Sequence, residues 1–115
     1  MAGFYKIAVN VPGEHLEALM DSVTGAIRPM YPGYDRTFNY WPVTGTWRSL
    51  PGSHPYNGSI GEVTVAGEVR LEFAVSEVDL GAAIAAILAV HPYEEPAIDV
   101  LPMVGWRDVI PSDGT

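Results

Sequence analysis

From Phe4 to Val11 aromatic and β-branched residues dominate, and Pro12-Gly13 halts the run, so the chain opens on a predicted strand. Leu16, Leu19, Met20, Val23 and Ile27 then recur at spacings of three and four. That is one stripe of a helix from about Glu14 to Thr24, with Gly25 near its stop. Arg28 to Gly33 is punctuated by proline and glycine. Tyr34 to Trp41 alternates as a second strand, Val43-Thr44-Gly45 reads as a turn, and Thr46 to Leu50 is a short run after it. Pro51 to Ser59, PGSHPYNGS, is loop chemistry throughout, long enough for an exposed excursion.

Ile60 to Val65 and Val69 to Val75 are β-type runs around Ala66-Gly67-Glu68, which predicts a hairpin. Ser76 and Asp79 have capping-box spacing before a helix whose buried stripe is Leu80, Ile84, Ile87 and Leu88. Pro92 ends that helix and pushes His91 out of the helical region. Pro96 to Met103 supplies a last strand. Strand, helix, paired strands, helix, strand is the order of a ferredoxin-like split β-α-β, an α+β fold with a long central hairpin or loop excursion. Residues 1–110 form one expected domain, and residues 111–115 are expected to be a flexible tail.

Composition narrows the function. The 115 residues include 14 acidic and 6 basic ones, for a formal charge of −8, and carry no Lys/Arg run. Such a surface repels phosphate backbones, so nucleic acid is excluded as the expected partner. The same field favours cations. With 48% hydrophobic residues in so short a chain, subunit contacts are a natural place for surplus apolar surface. Cysteine is absent, which removes disulfides, thiolate nucleophiles and Cys-ligated zinc. The longest uncharged stretch near the end, Gly81 to Val90, falls far short of the roughly 20 residues a membrane span needs. The N-terminus lacks the layout of a signal peptide, so cytoplasmic residence is expected.

His91-Pro92-Tyr93-Glu94-Glu95-Pro96 is the densest cluster of chemistry-bearing groups. An imidazole, a phenol and two carboxylates sit within five residues of a segment stiffened by two prolines, a donor set that suits zinc, copper, nickel or iron. A rigid turn with solvated acids explains the same residues. His54-Pro55-Tyr56 repeats the tripeptide in the central loop, either to converge on one site, including across subunits, or by coincidence. His15 reads as part of a solvated helix face. Arg48 and Arg70 suit an anion, or more simply pair with glutamates such as Glu68 and Glu72. Trp41 and Trp47 suit a binding wall, an interface or the core. Ser49, Ser53 and Ser59 lie near His54 with no motif to specify a nucleophile, and adjacent Glu94 and Glu95 do not make a catalytic pair facing one gap. No Gly-rich phosphate loop or nucleophile elbow is present in the sequence.

The segment AVHPYEEPAIDVLPM resembles the signature of the YqfO-type inserted domain of the Nif-three-like family. KIAVNVPGEHLEALMDSVTGAI is similar to that domain's first strand and helix, TGTWRSLPGSHPYNGSIGE to its aromatic, glycine-rich excursion, and Glu68-Val69-Arg70-Leu71-Glu72 to a strand of it. The likeness runs over about residues 4–103. It implies a PII-like or CutA-like fold and a homotrimer with ligands in clefts between subunits, nucleotides in PII proteins and metal ions in CutA proteins. It also implies that the flanking domains carrying a dimetal site are missing, so hydrolase-like activity does not carry over. The loop from Arg28 departs from the pattern.

Together these readings lead to a trimeric binding module, more a binder than an enzyme. Its expected ligand residues are His91, Tyr93, Glu94, Glu95, His54, Arg70 and Glu72. His91, Glu95 and His54 are the candidate ligands for a divalent transition metal such as zinc, copper, nickel or cobalt. A structural interaction module without ligand and a small metal-dependent hydrolase are the alternatives.

Overall fold

The computed structural model describes residues 3–111. Four strands, β1 (Phe4–Val11), β2 (Asn39–Arg48), β3 (Val63–Ser76) and β4 (Ile98–Met103), form one antiparallel sheet in the order β2-β3-β1-β4. Helices α1 (Leu16–Thr24) and α2 (Leu80–Leu88), each entered through a short 3-10 turn, connect β1 to β2 and β3 to β4. This is the expected split β-α-β arrangement.

The helices cover one face of the sheet because strand alternation gives them an apolar surface to cover. Ile7, Val9 and Val11 of β1 and Leu71, Phe73 and Val75 of β3 meet Leu19, Met20 and Val23 of α1 and Ala83, Ala86 and Ile87 of α2. The opposite face carries Lys6, Ala8 and Asn10 beside Arg70, Glu72 and Ala74. There the Arg70 guanidinium donates to Asn10 Oδ1 at 3.1 Å and pairs with Asp99 at 3.2 Å, with Glu72 4.0 Å away.

Three local expectations give way to longer-range pairing. Val43-Thr44-Gly45 is no turn: β2 runs unbroken through it, with Gly45 opposite Ala66. Ala66-Gly67-Glu68 is no hairpin either, because those residues lie inside the 14-residue β3. Pairing of each strand with the other keeps both extended, and the true connection is residues 49–62. The strand expected from Tyr34 starts only at Asn39, since residues 31–34 make a tight turn closed by Tyr34 N–H to Tyr31 O at 3.0 Å.

The expected capping box fails as well. Ser76 stays in the sheet opposite Phe4 and makes no side-chain cap. Asp79 is instead held by Arg28, whose Nη2, Nε and backbone N–H donate to it at 2.9, 3.1 and 3.0 Å. Those hydrogen bonds keep the Asp79 carboxyl below its usual range.

Only residues 69–72 of β3 are flanked on both sides, by β1 and β2. Residues 63–68 pair with β2 alone and leave the sheet as a two-stranded ribbon. The molecule is therefore long, 59 × 24 × 23 Å, with a radius of gyration of 16.5 Å. A compact chain of this size has about 13 Å. A two-stranded ribbon is marginal alone in water and needs cover. Residues 49–62 and the turn after α2 supply it on one side, while Val63 and Val65 stand exposed.

Candidate functional site

The site forms where the ribbon leaves the sheet. Pro92 stops α2, and the chain turns back to β4 through His91 to Ala97. Asn10, at the end of β1, anchors this turn from both ends: its N–H donates to Ala97 O at 3.3 Å, and its carbonyl accepts from His91 Nε2 at 2.7 Å. His91 Nδ1 accepts the Tyr93 backbone N–H at 3.2 Å. A carbonyl only accepts, so Nε2 carries the proton, and an amide donor facing Nδ1 leaves that nitrogen bare. His91 is thus a buried neutral imidazole with both nitrogens in use.

That arrangement aims Tyr93 at the ribbon. Its hydroxyl donates to Glu68 Oε2 at 2.6 Å, and its ring lies 5.6 Å from Trp47 and 5.9 Å from Tyr56. Burial, and then the bond to Glu68, push the Tyr93 hydroxyl well above the usual phenol range, so it remains a donor. Glu68 is only 6% exposed. Its other oxygen, Oε1, lies over Gly45, where any Cβ would collide with it. Glycine at that point of β2 is what lets the carboxylate lie flat on the ribbon.

The central loop folds back onto the same place. Gly61 N–H donates to Ser49 O at 2.7 Å, and Gly58, at φ +98°, lies against the Thr64 hydroxyl where a side chain would not fit. The His54 backbone N–H donates to Glu94 Oε1 at 3.0 Å, and Tyr56 meets His15 through a 3.3 Å hydroxyl–imidazole contact. The two His-Pro-Tyr tripeptides therefore do converge. Between them opens a cleft of about 540 Å³, walled by Trp47, Tyr56 and Tyr93, floored by Glu68, and edged by Glu94, Glu95 and Arg48.

Of the residues expected from sequence, Tyr93, Glu94 and Glu95 line this cleft. His91 and the backbone of His54 brace it from behind. Arg70 and Glu72 sit on the open sheet face, tied to Asn10 and Asp99, and do not line it. Glu68 and Tyr56 are the residues the sequence reading passed over. Glu68 was hidden by the expected turn at Ala66-Gly67, and the usable signal was a lone carboxylate spaced two and four residues before Arg70 and Glu72 on one strand face.

A metal ion needs lone pairs converging on one point. His91 has none to offer while it bonds Asn10 and Tyr93. Among the described residues no three His, Asp or Glu side chains are grouped to hold an ion. Within one chain, then, His91, Glu95 and His54 do not assemble the expected metal site, because the turn spends its imidazole on its own backbone.

The same geometry predicts a pH response. Burial, ahead of the His15 charge, lowers the His91 pKa, against the opposing pull of the Asn10 carbonyl and Glu68. The unfolded chain then binds more protons than the folded one near and below about pH 6.5, so stability falls as pH drops through that region. Urea midpoints taken from about pH 7.5 down to about pH 5.5 are expected to decline, and His91→Gln to flatten the decline. Equal slopes in both proteins would contradict a neutral buried imidazole.

No family model matches the chain. It is 33% identical over 107 residues to a GTP cyclohydrolase 1 type 2 homolog of Halalkalibacterium halodurans, covering 92% of this chain and 28% of that protein. It is 35% identical over 106 residues to a protein of the same name from Mycobacterium leprae, covering 90% and 27%. A Bacillus cereus protein related to NIF3 superimposes with a TM-score of 0.78 at 27% identity, over 90% of this chain and 26% of that one. The periplasmic divalent cation tolerance protein CutA of Archaeoglobus fulgidus gives a TM-score of 0.67 at 15% identity, over 92% and 90%. Arabidopsis thaliana PII bound to citrate gives 0.59 at 19%, over 89% and 78%. The last two likenesses concern the fold alone. The chain spans about a quarter of the length of the curated relatives it matches. Over about nine-tenths of its length this chain is thus similar to one segment of the GTP cyclohydrolase 1 type 2 homologs and of the NIF3-related protein, and its fold is that of CutA and PII.

Proposed function

We propose that this domain is a homotrimeric ligand-binding module of the PII and CutA kind that takes a small polar ligand in the cleft beside the His91–Glu95 turn. The observation that carries this reading is the cleft itself. Aromatic walls and a few placed polar groups in a concavity of about 540 Å³ are the usual makings of a small-molecule site. Assembly draws support from the ribbon, which reaches beyond its own core and leaves Val63 and Val65 exposed, and from the β2 edge beside it, where Tyr40 and Trp41 are exposed. A partner copy that covers these residues would give the ribbon the packing it lacks.

One observation favours a second reading, a structural module whose turn serves assembly without a ligand. His91 and Glu94 already spend hydrogen bonds on Asn10, Tyr93 and His54 within the chain. A divalent metal is a third variant, requiring donors such as the His54 ring and Glu95 to combine across copies. The activity named in the longer relatives belongs to proteins more than three times this length, and is not proposed for this segment.

Native mass spectrometry of the protein as purified, repeated with zinc, copper, nickel and cobalt, separates these readings. Trimers carrying a bound small-molecule mass are the expected result. Trimers without extra mass, together with melting temperatures unmoved by any metal, would leave the structural module. Monomers would overturn the assembly. A ligand present at 100 times its Kd adds about 2.7 kcal/mol, enough for a melting shift of several degrees.

A further inference from the structure

The cleft contains a largely buried acid that uses only one of its two oxygens within the chain. Glu68 is among the three buried polar or charged residues of the described chain, with Ser49 and His91. Its Oε2 accepts from Tyr93, while Oε1 rests over Gly45 and accepts no side-chain hydrogen bond from the described residues. Among the described residues the buried side-chain oxygen without a partner is Thr24 Oγ1, so Glu68 Oε1 keeps access to solvent and is free to take a donor that enters the cleft. Around it stand the faces and edges of Trp47, Tyr56 and Tyr93. At the rim Glu94 and Glu95 add two carboxylates, and Arg48 is the one guanidinium among the lining residues. Three acids against one base, in a chain of formal charge −8, make the cleft attractive to a cation.

Resting on the reading of this cleft as a ligand site, we infer that its ligand is a small organic cation with a planar N–H face, an amidinium or guanidinium group, paired with Glu68 and stacked among Trp47, Tyr56 and Tyr93. A planar cation satisfies both features at once. Its parallel N–H bonds fit a carboxylate edge, and its flat face packs on aromatic rings. A compact ammonium uses the carboxylate but not the walls, and a phosphate meets three repelling acids.

The test is calorimetric titration of the full-length, assembled protein with benzamidine, and with benzamide as its neutral counterpart of the same shape. Benzamidine is expected to bind and benzamide not. Glu68→Gln is expected to weaken benzamidine on the order of tenfold or more, with its melting curve recorded to show that the fold persists. Gly45→Ala, which displaces the carboxylate without removing it, should weaken binding in the same direction. Arg48→Gln should tighten it, since a like charge leaves the rim. Equal binding of benzamide, or benzamidine affinity unchanged in both Glu68→Gln and Gly45→Ala, overturns the inference. A bound mass in native spectra alongside failure of benzamidine also overturns the cation class, yet leaves the ligand-site reading standing.

Discussion

Leu71→Ala is expected to lower the free energy of unfolding by about 2–5 kcal/mol, a large part of the roughly 5–15 kcal/mol typical of a native protein. Leu71 is fully buried in the cluster under both helices, and its backbone lies between Val9 of β1 and Tyr40 of β2. It sits on the short stretch of β3 held from both sides, just before the ribbon departs. Its loss leaves a cavity at the root of the lever that carries Glu68 and, on the partner strand, Trp47. Urea unfolding gives the number directly. Val65→Ala, exposed out on the ribbon, is the comparison and should change stability of the single chain by no more than about 0.5 kcal/mol. Similar losses for the two would mean that the core does not lie where the sheet and helices place it.

His91→Ala should be the next most damaging change, and its damage is to stability before binding. The buried imidazole bridges the Asn10 carbonyl and the Tyr93 amide. Removing it strands both groups, each at about 1–3 kcal/mol, and frees the turn that aims Tyr93 at Glu68. A loss of stability with an altered near-ultraviolet circular dichroism spectrum is therefore expected. Glu95→Ala, at the exposed rim, should leave stability within about 0.5 kcal/mol. If His91→Ala melted like the parent protein and lost only ligand binding, the imidazole would be a ligand group and not a brace. Measuring both properties on the same variant makes that distinction.

This outcome bears on how the HPYEE segment is read. Its chemistry was visible in sequence as a crowd of donors, and crowded donors suggest a metal. What spacing did not show is that a proline-bent chain leaves its own amides and carbonyls in need of partners. His91 meets that need from one side and Glu94, through the His54 amide, from the other. In sequence the second His-Pro-Tyr was open to both readings, convergence and coincidence. Folding joins it to the first because residues 49–62 turn back along the ribbon, and only the length and pairing of β2 and β3 dictate that return.

The glycines show the same limit from another direction. Gly45 and Gly67 look like turn residues when neighbours along the chain are all one can see. In the sheet they sit in extended strands, Gly45 opposite Ala66 and Gly67 opposite Thr44. The role of Gly45 is to make room for a carboxylate arriving from another strand. Misreading Gly67 as a turn residue is what concealed Glu68, which lies beside it in β3.

What the amino-acid sequence determined by itself was whatever depends on neighbours within a turn or two. The period of Leu19, Met20 and Val23 defines α1, Phe4 to Val11 defines a strand, Pro92 ends α2, and their order defines a ferredoxin-like sheet. The continuous ribbon, the carboxylate on its floor, the bracing role of His91 and the meeting of two distant tripeptides were decided only in three dimensions. Each depends on a hydrogen bond or an excluded volume between residues about 20 to 80 positions apart, and local propensity carries no term for such pairs.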